Sequence, residues 1–242
     1  MYAIKTEGLT KKYGDKTAVD KLDLTVNQGE LYALLGVNGA GKSTTIKMLS
    51  CLIRPSDGDA KIHGFSIRKN RSEVKQIINV SPQETAVAAK LSVRENLEFI
   101  ARIYGTGKKE AAKKAEEMME KFSMTEIAKS RASTLSGGWQ RRLSIAMALI
   151  SEPKVLFLDE PTLGLDVLAR RELWNFIKML KGKITIILTT HYLEEAESLS
   201  DRIGIMSKAK LQAEGTAEEL KKSAGTDNFE EAFIRIAGEG LQ

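Results

Sequence analysis

Eight consecutive residues constrain this chain more than any other feature: Gly36-Val37-Asn38-Gly39-Ala40-Gly41-Lys42-Ser43. They read G-x-x-x-x-G-K-[ST], a spacing whose backbone cradles phosphate. The glycines let the chain curl so that its N–H groups point inward. An apolar run, Leu31-Tyr32-Ala33-Leu34-Leu35, precedes the loop, and a helical run from Thr44 to Leu52 follows it. In that second run Met48 and Leu52 are four apart, with Ile46, Leu49 and Ile53 on an adjoining line, the period of a helix. Strand, loop and helix in this order bring orphan N–H donors and a positive dipole end to the mouth of the loop. The product is an anion site for a polyphosphate. Lys42 can reach the β- and γ-phosphates, the Ser43 hydroxyl can hold Mg²⁺, and Thr44 belongs to the same binding set.

Composition sets the frame. The chain has 242 residues, 42% of them hydrophobic, enough to bury the core of one large α/β domain. No apolar run approaches the ~18 residues that span a bilayer. Met1 to Glu7 lacks the long apolar stretch of a signal peptide. The single cysteine, Cys51, excludes an internal disulfide and fits a reducing compartment. It falls in the helix expected after the loop, as a small buried side chain. Net charge is +5, from 37 basic and 32 acidic residues, and the basic residues are spread along the chain. Lys108, Lys109, Lys113 and Lys114 alternate with Glu110, Glu116, Glu117 and Glu120, which reads as a solvated helix face. Nucleic acid is therefore not an expected partner.

The first 30 or so residues alternate like strands, with Val19, Leu22, Leu24 and Val26 apolar and turns at Tyr13-Gly14-Asp15 and Asn27-Gln28-Gly29. They predict a small antiparallel sheet. Residues 88–151 change character. Ser92-Val93-Arg94-Glu95 is a capping box for a helix running to about Tyr104; Gly105 and Gly107 interrupt it, and a second helix follows from about Lys109 to Phe122. No strand pattern appears there, so the stretch reads as a helical insert. Short apolar runs return at Val155–Leu158 and Ile184–Leu188, as in a parallel sheet covered on both faces. Between them lies a helix with Leu173, Trp174, Ile177 and Leu180 on one side, Trp174 as core packing. A hairpin near Ile203 to Ala213 and two short helices close the chain; the hairpin turn at Lys208-Ala209-Lys210 lacks the expected glycine.

Two further stations carry chemistry. Val155-Leu156-Phe157-Leu158-Asp159-Glu160 is an apolar strand ending in two carboxylates. A second strand of a phosphate-loop fold delivers an acid beside the first. Asp159 fits as the Mg²⁺ partner, and Glu160, one residue on, projects toward the γ-phosphate to polarise the attacking water as general base. Leu135-Ser136-Gly137-Gly138-Trp139-Gln140 precedes a helical run with Leu143, Ala146, Met147 and Ile150 on one face. Ser136, Gly137 and Gly138 at that helix tip form a second anion site. One nucleotide does not easily occupy two helix tips on separate lobes of one monomer, whereas a sandwich of two chains places both on one triphosphate.

The ordered set resembles the ATP-binding cassette (ABC) transporter ATPases over essentially the whole chain. GVNGAGKST is similar to their Walker A loop, VLFLDE to Walker B and LSGGWQ to the signature. The resemblance implies that Tyr13 stacks on adenine, that Gln83 senses Mg²⁺ and water and links core to helical subdomain, and that His191 contacts the γ-phosphate. It also implies that Pro161 and Gly164-Leu165-Asp166 form the D-loop, with Asp166 crossing a dimer interface; Asp166 reads equally as the N-cap of the next helix. Two positions depart from the family pattern: Trp139, where Gln is commonest, and Leu163, where a small polar residue is common. The fold implied is an α/β P-loop NTPase core with an antiparallel β subdomain and an inserted helical subdomain: one ABC ATPase domain over 1–242, core 1–87 and 152–242, helical subdomain 88–151. The activity implied is transport-coupled hydrolysis of ATP with Mg²⁺. The partners implied are a second ABC ATPase subunit, identical or not, and a transmembrane permease whose coupling helix lies near Gln83 and residues 84–100. The cassette would then lie at the cytoplasmic face of the membrane. The segments 160–166 and 190–196 resemble those of bacterial export-type, multidrug or antibiotic-resistance cassettes. The alternative is a non-transport ABC ATPase acting on DNA or ribosomes; such relatives usually carry two cassettes or a long coiled coil, and neither pattern occurs here.

Overall fold

The structure is a computed structural model and describes residues 1–238. The N-terminal alternation builds β1 (Tyr2–Tyr13), β2 (Lys16–Leu22) and β3 (Thr25–Asn27), followed by β4 (Leu31–Leu35) and, across the glycine loop, α1 (Lys42–Leu49). Then come β5 (Asp57–Ile62), β6 (Phe65–Ser66), α2 (Arg71–Ile77) and β7 (Ile78–Ser81). The middle of the chain is helical: α3 (Val93–Ile103), α4 (Lys108–Lys121), a 3₁₀ turn (Ala132–Thr134) and α5 (Gly137–Leu149). The remainder alternates as β8 (Val155–Asp159), α6 (Val167–Leu180), β9 (Thr185–Thr190) and α7 (Leu193–Leu199), then the hairpin β10 (Arg202–Ser207) and β11 (Lys210–Gly215), then α8 (Ala217–Ser223) and α9 (Phe229–Gly238).

Two sheets result. One runs β2-β1-β5-β6 with β3 also on β1, every pairing antiparallel. The other runs β11-β10-β4-β9-β8-β7, parallel throughout except at the β10–β11 hairpin. Every residue of β4, β8 and β9 is buried, because both faces of this sheet are covered. Alternate residues serve opposite layers. Leu156, Leu158, Ile186 and Leu188 pack with the α3–α6 helices, while Val155, Phe157 and Ile187 pack with α1 and the antiparallel sheet. The glycine loop thus emerges from the carboxyl end of β4, beside the loop after β9 and one strand removed from the acids ending β8.

Several expectations met their physical limits. The helix after the loop ends at Leu49, not Leu52. Cys51 takes φ +59, its N–H bonds Met48 O (3.0 Å), and the Leu52 N–H bonds Lys47 O (2.9 Å). That is a Schellman stop, with cysteine where glycine is usual. Cys51 is buried as expected but lies beyond the helix, and Leu52 is left 64% exposed. The helix α5 has no single apolar face: every residue from Arg141 to Leu149 is buried, because α3, α6 and the parallel sheet enclose it. The capping box forms, with Ser92 N to Glu95 Oε2 at 2.8 Å and Glu95 N to Ser92 Oγ at 3.2 Å. The hairpin turn that lacks glycine is made by Lys208 (φ +47) and Ala209 (φ +67), the primed geometry that two-residue hairpins need. No helix among the described residues is long and apolar enough to cross a membrane.

Candidate functional site

The loop's conformation is set at Gly41, the N-cap of α1, with φ 108. A Cβ there would lie 2.5 Å from Ala18 O, so only glycine fits. The first N–H groups of α1 have no intrahelical acceptor and point into the loop. Lys42 is 4% exposed. Its Nζ donates to Gly36 O (2.7 Å) and Val37 O (3.2 Å) and lies 3.6 Å from Glu160 Oε1. Burial holds the ammonium below the usual lysine pKa, against the opposing pull of Glu160.

The two acids after β8 divide. Asp159 Oδ1 accepts from Ser43 Oγ (3.0 Å) and Thr189 Oγ1 (2.5 Å). Glu160 takes φ +48, a left-handed conformation that costs a non-glycine residue on the order of 1–3 kcal/mol. Its N–H is held by both Thr189 O and Thr189 Oγ1, each at 3.1 Å. The turn brings Glu160 Oε2 to 3.1 Å from His191 Nδ1. Next to this pair, Glu195 is wholly buried. Its Oε1 accepts from Thr162 Oγ1 (2.8 Å) and from the indole N–H of Trp174 (2.9 Å), while Oε2 has no hydrogen-bond partner. Burial pushes its carboxyl pKa up, partly offset by the nearby Thr190 hydroxyl and by the Trp174 and Thr162 donors. Trp174 is therefore a core residue that also fixes the segment leading to Asp166.

One cleft of about 540 Å³ collects most of the residues singled out from sequence: Tyr13, Asn38, Gly39, Ala40, Gly41, Lys42, Ser43, Thr44, Gln83, Glu160 and His191 all line it. Tyr13 is 50% exposed at one end, and the Lys11 ammonium stands 5.0 Å from its ring centroid. Gly36 and Val37 lie behind, as acceptors for Lys42, and Asp159 lies beneath Ser43. Ser136, Gly137, Gly138 and Asp166 do not line the cleft. Ser136 is the N-cap of α5 with no side-chain capping bond, and Ser136 and Gly137 are exposed. Asp166 is exposed too, and caps α6 by accepting from Ala169 N at 2.9 Å. Trp139 turns toward its own subunit: the Arg142 guanidinium stacks 4.5 Å over its ring and 4.3 Å over Phe176, and pairs with Glu172. Gln140 bonds Ala132 O (3.1 Å) and Leu135 O (3.2 Å), bracing the turn before the tip.

Sequence reasoning missed four contributors. Lys16 and Ala18 line the cleft; the Tyr13-Gly14-Asp15 turn pairs Lys16 with Tyr13, so the register of that hairpin carried the signal. Leu163 lines the cleft as well. Thr189 organises both acids, and its only mark in the sequence is its place two residues before His191.

The ABC transporter family pattern matches residues 19–163 of this chain. The chain belongs to the ABC transporter family. Over 238 residues this cassette is 42% identical to the daunorubicin resistance ATP-binding protein DrrA3 of Streptomyces coeruleorubidus, covering 98% of this chain and 75% of that one. It is 41% identical over 227 residues to the linearmycin resistance ATP-binding protein LnrL of Bacillus subtilis, covering 93% and 73%. In structure it resembles a dimeric ATP-binding cassette in a post-hydrolysis state, bound to ADP and Pi, with a TM-score of 0.78 and 25% identity over 88% of this chain and 98% of that one. The cassette fold and the ATP-binding character of the family therefore apply here.

Proposed function

We propose that this chain is the ATP-hydrolysing subunit of an exporter of drug- or antibiotic-like small molecules, acting with a second cassette on a separate membrane permease at the cytoplasmic face. The observation that carries this is the division of the site. One cleft gathers Tyr13, the glycine loop, Gln83, Glu160 and His191, while Ser136 and Gly137 are exposed outside it. Such a tip is free to meet the nucleotide of another subunit. In this reading Tyr13 stacks on adenine, the loop amides from Gly36 to Thr44 cradle the phosphates, and Lys42 leaves its carbonyl partners for the β- and γ-oxygens. The core comprises 1–87 and 152–242, and residues 88–151 form the arm that bears the signature.

Hydrolysis then rests on positioning and electrostatics. Water held by Gln83 and Glu160 attacks the γ-phosphorus, the bond to the β-bridging oxygen breaks, and the water's proton passes to Glu160. His191, 3.1 Å from that carboxylate, orients it and reaches the γ-oxygens. Asp166 contacts the partner subunit across the interface. The oxygens present suit Mg²⁺, since Ser43 Oγ and Asp159 Oδ1 lie 3.0 Å apart beside the loop. No group of three or more metal-binding His, Cys, Asp or Glu side chains occurs among the described residues, so the cation would arrive with the triphosphate, keeping phosphate and water ligands. Bound there, it would neutralise charge on the β- and γ-phosphates. A cavity of about 160 Å³ lined by Pro82, Ala86, Ile100 and Tyr104, next to exposed Phe99 and Ile103, supports permease docking beside Gln83.

The names of the two resistance proteins support export of antibiotic-like cargo. The test is to express the chain with the hydrophobic protein encoded beside it. Expected results are co-purification, release of phosphate from ATP, and ATP-dependent drug movement in vesicles. Co-purification with nucleic acid, or transfer of the phosphoryl group to an acceptor other than water, would overturn the proposal.

A further inference from the structure

Arg141 has no role in the chemistry above, yet it is the most enclosed arginine near the cleft, 5% exposed in the second turn of α5. Its Nη1 donates to Pro82 O at 2.6 Å and its Nη2 to Gln83 O at 2.5 Å. A buried guanidinium is ordinarily set against a carboxylate. Here its direct partners are two consecutive backbone carbonyls, with Asp159 and Glu195 favouring its charge from a distance. The segment it grips, between β7 and α3, has no regular structure at Pro82 and Gln83, and Gln83 lines the nucleotide cleft. Two parallel donors from one rigid plane fix both the position and the tilt of the peptide between those carbonyls. One donor would leave it free to pivot.

The other end of the same helix is the exposed tip. Gly137 and Arg141 are one turn apart, about 6 Å along the axis, with no flexible element between them. We propose that Arg141 is the positioning residue that sets Gln83 in the cleft, so that displacement of the Ser136–Gly138 tip by a partner's nucleotide is delivered to the glutamine of this chain's own site. The inference rests on the two-subunit reading of the site and adds a physical link between its two halves.

A double-mutant cycle on the purified chain tests it. Arg141→Met keeps the stem and removes both donors; Arg141→Lys keeps the charge but cannot span both carbonyls. Misplacing a positioning group by about 1 Å costs up to roughly 100-fold in rate. The expected result for Arg141→Met is a kcat lowered roughly 10- to 100-fold with the KM for ATP within about threefold, because Tyr13 and the loop set binding. Arg141→Lys falls between that variant and wild type. In a Gln83→Ala background, where there is no amide left to position, Arg141→Met lowers kcat by no more than about twofold further. A wild-type kcat in either Arg141 variant, or a fall that multiplies with that of Gln83→Ala, overturns the inference. If Arg141→Met does not fold, Arg141→Lys is read through the same cycle. A wild-type kcat in Gln83→Ala alone would instead remove Gln83 from the proposed mechanism, a separate failure read from a separate variant.

Discussion

Replacing Glu160 by glutamine isolates its chemistry from its structural role. The backbone at Glu160 is held by Thr189 through two 3.1 Å contacts to its N–H, so the side chain's location does not depend on its charge. Glutamine is nearly the same size and can still meet His191. Lys42 loses an ion-pair partner at 3.6 Å but keeps its carbonyl acceptors at Gly36 and Val37. The stability change is therefore expected at about 1 kcal/mol or less, a melting shift within roughly 4 °C for a chain of this length. Loss of the general base is far larger: about 10²–10⁴-fold in kcat, or roughly 2.7–5.4 kcal/mol in the barrier. The triphosphate should still bind, and without hydrolysis the two-subunit state should accumulate. Phosphate release at saturating ATP, a melting curve and light scattering with ATP–Mg²⁺ read these three quantities. A kcat within threefold of wild type would refute the role of Glu160, and a variant that stays monomeric at saturating ATP would refute the sandwich.

Three other perturbations follow from the structure. For Glu195, burial raises the folded-state pKa above the ordinary 4.5, so wild-type stability is full below that value and falls as pH rises through the folded pKa; the melting temperature of Glu195→Gln relative to wild type should climb with pH, and a relative decline would contradict the assignment. Tyr13→Ala should weaken ATP binding roughly 5- to 150-fold, the worth of one base–aromatic stack, while affinity for inorganic triphosphate stays unchanged in calorimetry. Ala209→Gly relieves a residue at φ +67 and should stabilise the hairpin by about 1 kcal/mol, raising the melting temperature roughly 2–4 °C without altering ATPase rate.

The glycine loop, the acid-ended strand and the Ser-Gly-Gly tip were legible because each is contiguous and its chemistry depends on local spacing. The capping box at Ser92 was legible for the same reason. Interactions between distant segments were not. Only its place before His191 marks Thr189, which holds both Asp159 and Glu160 from the neighbouring strand, and nothing local marks Arg141 as the clamp on Pro82 and Gln83, which it grips from another element. Periodicity also failed where tertiary structure overrode it: Leu52 continues the apolar line of α1, but the left-handed Cys51 ends the helix first. The enclosure of α5 on all sides erased the one-face pattern expected of a surface helix. Glu195 lay unnoticed in an acidic run, because burial of a carboxylate leaves no trace in composition.

Cys51 has a practical consequence. It is the chain's single thiol, it is shut away from solvent, and burial pushes its pKa up, so the thiolate that alkylating dyes require is scarce and out of reach. A reporter cysteine introduced on the outer surface, at Lys113→Cys on α4 for instance, where the side chain is 77% exposed, would take a fluorophore essentially alone. Approach and separation of two subunits could then be followed by energy transfer in real time, with no need to strip the native sulfur first.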